Sequence, residues 1–275
     1  MLAPPVEAHL SAPAFQIDHL FSLTRERERA RTFLTRMGFD LTERGEHPGR
    51  GTSNHLAFFG RCYWELLAVD TPTPENAALN ERGGGLAGCA LRTSDAESDA
   101  QKARTLGFGA GAPESFTRPV RVHGEWKTAR FRTVVLTPPS PIEAYVFFCQ
   151  HLTPELVWPS EVREHPNGAF RLRALHVAGP TLDLARRALE PLLGEGGGAE
   201  PAVTYDAAQR FRERFGNAAG PASLTRTQLG ALEFQVRDLG RCAAYLSQHQ
   251  VAFDQNARSI RCHVPLIGHT LVFSA

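Results

Sequence analysis

The stretch CYWELLAV, residues 62–69, holds a carboxylate, Glu65, inside an apolar run. Successive side chains of a strand point to opposite faces, so Tyr63, Glu65 and Leu67 share one face and Trp64, Leu66 and Ala68 the other. Both faces are mostly apolar, as in a strand covered on both sides. A carboxylate there must be paired, hydrogen-bonded, protonated or bound to a metal; a structural salt bridge is the plainest of these fates. Three arginines could also do chemistry. Arg130 and Arg132 alternate within KTARFRTVVL, just after Trp126, and Arg50 sits in the glycine-flanked loop HPGRG. Guanidinium groups match carboxylates and phosphates in bidentate fashion, so these residues fit an anionic small-molecule substrate. The plainer reading of Arg130 and Arg132 is a solvent-facing side of a sheet. The tracts Gly83-Gly84-Gly85 and Gly196-Gly197-Gly198 lack the spacing of a phosphate-cradling loop, so no nucleotide cofactor is expected.

The elements that must position these residues recur in a fixed order. Residues 15–23 read as a strand. Thr24 caps a helix with apolar residues at Ala30, Phe33, Leu34 and Met37, and Gly38 stops it. Two strands follow around a two-residue turn at Gly60-Arg61. The order returns with a strand over 86–92, a helix from Thr93 to Gly107 and strands over 118–122, 127–136 and 142–149. A third copy has a strand over 171–178, a helix over 182–193 and a strand over 201–205. A fourth has a strand over 229–236, a helix over 239–249 and strands over 259–264 and 270–273. Each unit reads βαβββ, which predicts an α+β fold of about four repeated modules forming curved mixed sheets with helices outside. The expected layout is a flexible leader over 1–14, a first half over 15–152, a connector over 153–168 and a degenerate second half over 169–275.

Bulk properties exclude several classes. A net charge of +1 over 275 residues offers no global field for nucleic acid or an anionic membrane. No run of 18 or more apolar residues exists, and no membrane span is expected. The five cysteines are odd in number, widely spaced and lack any CxxC, which argues against a disulfide framework and fits a reduced, cytoplasmic setting.

With IDHLFSL in the first strand and WELLAV in the fourth, the four units resemble the vicinal oxygen chelate superfamily, the group of glyoxalase I, extradiol dioxygenases and fosfomycin-resistance proteins. HPGRGTSNHLAFF, YWELLAV and FFCQHLTPELVW resemble its glyoxalase-like domain proteins. The resemblance implies a cup-shaped sheet around a divalent metal (Mn, Fe, Co, Ni or Zn), held by residues of the first and last strands of paired units. It assigns His19 and Glu65 as ligands, with Glu143 from PIEAYVFF and His55 to complete the set, because Gly88 stands where the second unit should offer a His. Glu65 or Glu143 would be the catalytic base, and Arg50, Trp126, Arg130 and Arg132 would bind substrate. The implied activity is a metal-assisted lyase or isomerase acting on vicinal oxygens. A metal-free sequestering protein and an extradiol-type dioxygenase are the alternatives, and a homodimer is an assembly that the superfamily uses. His176 occupies the place of His19 in the second half, which is read as mainly structural.

Overall fold

Strand alternation in the first unit separates two faces, and the structure follows it. The computed structural model describes residues 14–140, 142–161, 164–194, 201–219 and 224–275. The first unit is β1 (Ile17–Leu23), α1 (Arg27–Arg36), β2 (Gly45–His47), β3 (Thr52–Phe59) and β4 (Cys62–Val69). Phe59 pairs with Cys62, and Gly60 between them takes a φ of 67°, which glycine adopts without strain. After α2 (Ala77–Arg82), the second unit is β5 (Gly85–Arg92), α3 (Ala96–Thr105), β6 (Gly109–Ala110), β7 (Glu114–Val122), β8 (Glu125–Thr137) and β9 (Tyr145–His151). Asp95 caps α3, its carboxylate accepting from the amides of Glu97 and Ser98. Both units share one nine-stranded sheet, ordered β2-β3-β4-β1-β5-β9-β8-β6, with β7 paired to β8.

The third unit departs from the repeat. It runs β10 (Ala169–Gly179), α4 (Leu182–Leu193) and β11 (Ala202–Ala207), then forms a helix, α5 (Ala208–Phe215), where further strands would stand. The fourth is β12 (Gln228–Val236), α6 (Leu239–Gln248), β13 (Asp254–Gln255), β14 (Ser259–Val264) and β15 (His269–Ser274). They make a six-stranded sheet, β11-β10-β12-β15-β14-β13.

One face of each sheet packs with α1, α3, α4 and α6 into a shared core, where Phe59 and Trp64 of the first sheet meet Phe234 of the second. The opposite face of the first sheet carries His19, Phe21, Glu65 and Leu67 and lines an open cup. The corresponding face of the second sheet is covered by its own chain: Phe211 and Phe215 of α5 pack on Ala178, Ala231 and Val272. All five cysteines are buried and none is in a disulfide. Among the described residues, no helix is long and apolar enough to cross a membrane. The leader expected over 1–14 lies, apart from Ala14, outside the described residues.

Candidate functional site

The cup of the first sheet encloses a cavity of about 430 Å³, within the range of small-molecule sites. Its polar wall begins at an irregularity in β1. The β1–β5 register shifts between Ile17 and His19, so Asp18 is a bulged residue. Ile17 joins the core behind the sheet while His19 lines the cup, although residues two apart on a regular strand share a face. The bulge brings the neighbouring side chains of Asp18 and His19 together. Asp18 Oδ1 accepts from His19 Nδ1 at 2.8 Å and from His151 Nε2 at 3.0 Å, and Arg92 Nε lies 3.3 Å from Oδ2. Burial alone would favour the protonated acid. The bonds from His151 and His19 outweigh it and hold Asp18 well below the usual carboxylate range.

With the His19 proton assigned to Nδ1 by that bond, Nε2 presents its lone pair to Glu65 Oε2, 3.5 Å away. The imidazole is stacked on Tyr63, with ring centroids 4.4 Å apart. Glu65 is fixed from its other side. Asn54 and Glu65 lie diagonally across the β3–β4 ladder on the cup face, and Asn54 Nδ2 donates to Glu65 Oε1 at 2.6 Å. The same amide nitrogen lies 3.3 Å from His47 Nε2, whose Nδ1 donates to Thr52 Oγ1 at 2.8 Å. Burial lowers His47 to about 4, so it is neutral at physiological pH. A continuous polar chain thus runs Thr52–His47–Asn54–Glu65–His19–Asp18–His151.

Of the residues expected in the site, His19, Glu65 and Arg50 line this cavity. The others stand elsewhere, each for a geometric reason. His55 pairs with Leu66, one step out of phase with Glu65, and therefore faces the back of the sheet, where Nδ1 donates to the Thr42 carbonyl at 2.9 Å. Glu143 precedes β9 and accepts from Arg226 at 2.6 Å, beside the second sheet. Arg130 and Arg132 do share a face, but Phe131 and Thr133 between and beyond them point into the cup, which turns the arginines away. Trp126 is 72% exposed, near the turn of the β7–β8 hairpin.

The second unit contributes no ligand at the positions equivalent to His19 and Glu65. Thr24 and Thr93 superpose the units, since each hydroxyl accepts from the amide two residues on. On that alignment Gly88 replaces His19 and Phe147 replaces Glu65; His19 pairs with Tyr63 as Gly88 pairs with Tyr145. A Cβ on Gly88 would overlap the Tyr145 carbonyl and the Phe21 ring, so the strand spacing itself excludes a ligand there.

Two arrangements could hold a metal. Asp18, His19 and Cys149 have ligand atoms within 4.8 Å of one another. There, however, Asp18 Oδ1 already accepts from two imidazoles, and burial pushes the Cys149 thiol well up, which favours its protonated form. The His19 Nε2–Glu65 Oε2 pair fits better. Its 3.5 Å gap is long for a hydrogen bond and near the spacing of two ligand atoms each about 2.1 Å from one ion. Asp18 then takes the outer role that orients a ligating imidazole.

Sequence reading missed Asp18, His47, Asn54, Arg118 and His151. Thr52 and Asn54 alternate within an apolar strand and could have been found by the test applied to Glu65. Asp18 could not, because regular alternation points it away from His19.

Paired βαβββ units around a cup define the vicinal oxygen chelate fold. Within it, the chain belongs to the glyoxalase-like domain family, whose model matches residues 17–193. Similar solved structures include a hypothetical protein from Staphylococcus aureus, with 12% identity, a TM-score of 0.61 and coverage of 94% of this chain and 98% of that one. A mutant 4-hydroxymandelate synthase from Streptomyces coelicolor is 15% identical, with a TM-score of 0.59 and coverage of 95% and 92%. A xylose isomerase-like TIM barrel/4-hydroxyphenylpyruvate dioxygenase fusion protein is 13% identical, with a TM-score of 0.56 and coverage of 98% and 51%. At these identities the likeness shows the fold. No curated protein matches the chain.

Proposed function

We propose that the chain is a small-molecule enzyme of the glyoxalase type, a lyase or isomerase acting in the first cup on a substrate with vicinal oxygens. The observation that carries this reading is the His19–Glu65 pair, set 3.5 Å apart on the wall of a 430 Å³ cavity and braced on both sides. His19 Nε2 and Glu65 Oε2 would hold a divalent metal. Bound there, such an ion supplies Lewis-acid stabilisation of charge developing on a substrate oxygen. The chain's own residues do the rest. Asp18 fixes the His19 tautomer and ring plane. Asn54 holds Glu65 Oε1, so Oε2 is the oxygen that would give up its ligand role to take a proton from substrate carbon and return it. With Glu143 turned to Arg226, that base role falls to Glu65 alone. Phe21, Phe147 and Leu67 exclude water around the pair.

Elemental analysis of untagged protein tests the reading. About one divalent transition metal per chain, lost in Glu65→Gln together with turnover of 2-oxoaldehydes, supports it. No metal after incubation with Mn, Fe, Co, Ni and Zn overturns it. The replacement of the second ligand pair by Gly88 and Phe147 favours one other reading, a metal-free cup that binds a metabolite without converting it. An extradiol-type oxygenase would need a second imidazole, which the Gly88 position does not supply.

A further inference from the structure

β7 is an exposed strand with one buried residue, and that residue is charged. Phe116 and Arg118 both line the cup, and Arg118 is the more buried, at 8% exposed. Buried arginines are normally paired with a carboxylate, because an unpaired charge out of water is costly. Among the described residues Arg118 has no ion pair and no side-chain hydrogen bond; its contact is the Phe131 ring, 5.7 Å from the guanidinium carbon. The guanidinium lines the cavity that holds His19 and Glu65. Room is kept for it: a Cβ on Gly45 of β2 would collide with Arg118 Nη1, so β2 is bare where the guanidinium lies. Arg50, by contrast, lies on the Phe116 ring and 3.4 Å from Glu114, so its charge is partly answered. The cup therefore holds a largely buried cation that has no partner among the described residues.

We propose that Arg118 is the receptor for an oxyanion of the substrate, a carboxylate or a phosphate, whose apolar body lies against Phe131 and Phe116. The inference rests on the reading of the first cup as the substrate site, but not on a metal or on turnover. Guanidinium geometry takes two oxygens of such an anion at once. The substrate class is thus a small carboxylate or phosphate anion with an apolar, ring-sized body and its reactive oxygens toward His19 and Glu65.

Thermal unfolding of chelator-treated protein tests this with phenylacetate, phenyl phosphate and the neutral phenylacetamide. The expected result is a dose-dependent rise in Tm with at least one anion and none with the amide; which anion acts distinguishes carboxylate from phosphate. Arg118→Met should raise the Tm without ligand, because it removes an unpaired buried charge while keeping an apolar stem, and should weaken anion binding at least tenfold. Arg118→Lys, which keeps the charge but not the fork, should bind with intermediate affinity. The response should persist in Glu65→Gln, which separates this inference from the catalytic reading. An equal response to the amide, no response to either anion, an unaltered response in Arg118→Met, or a lower ligand-free Tm in that variant would each overturn it.

Discussion

Replacing Asp18 by Asn changes one atom and tests the organisation of the whole site. Asp18 is fully buried and held ionised by His19 and His151, with Arg92 3.3 Å away. An amide can accept at one position only and must donate at the other. Breaking a buried charged cluster by neutralising one member costs about 3–5 kcal/mol, which corresponds to a Tm lowered by on the order of 10 °C. The sign of the pH dependence follows from the depressed acid. Its stabilising effect is present above the unfolded value near 3.9 and is lost as pH falls toward the lower folded value. The gap between wild type and Asp18→Asn should therefore be constant from pH 5 to 8 and shrink below about pH 4. The substitution also acts at a distance. An amide N–H directed at His19 Nδ1 moves the ring proton to Nε2, which then points at Glu65 and no longer offers a lone pair to a metal. Urea unfolding across pH, with metal content measured alongside, reads both effects. A loss under about 1 kcal/mol at pH 7, or a gap that stays unchanged down to pH 3, would refute Asp18 as the ionised anchor.

Glu233 of the second half is held at about 2: burial opposes its charge, but bonds to His176 and Ser274 outweigh that, at 2.9 and 2.6 Å. It should stabilise the fold above about pH 4.5 by up to roughly 3 kcal/mol and lose that effect toward pH 2, a slope that Glu233→Gln abolishes in acid-unfolding curves. Gly88→Ala should destabilise by about 1–3 kcal/mol in urea, because its methyl group meets the Tyr145 carbonyl. His55→Gln should leave metal stoichiometry unchanged, and Arg130→Ala with Arg132→Ala should leave KM unchanged, since these side chains face away from the cup; a tenfold change in either assay would contradict the assigned faces.

The fold was legible because each unit alternates a period-two pattern with a period-3.6 pattern and ends its helices at glycine or an irregular turn. Glu65 was legible too, since a lone carboxylate among Tyr63, Trp64, Leu66 and Leu67 has few places to go. Partners were less so, because they depend on register. One residue of phase separates His55 from Asn54 and decides which meets Glu65. The bulge at Asp18 breaks the rule that sequence reading relies on, and no residue in IDHL announces it. Arg118 sits in a strand whose other residues are exposed or half-buried, so only the fold of β7 toward β2 reveals that it is buried. Helix α5 was missed because QRFRERF is short and polar, and its two phenylalanines gain a reason only once the empty face of the second sheet is there to receive them.

That helix makes the two halves of the chain unequal as receptors. The face of the second sheet around His176 is occupied by a tethered tenant: Phe215 lies edge-on to the imidazole, 5.2 Å between centroids, and Phe211 fills the space above Gly230. Because the occupant is covalently attached a few residues from β11, it competes at an effective concentration that no free metabolite reaches. Among the described residues one cup is open and the other is a lock already holding its key, so the inequality of the two cups is built into the connectivity rather than into the chemistry of either.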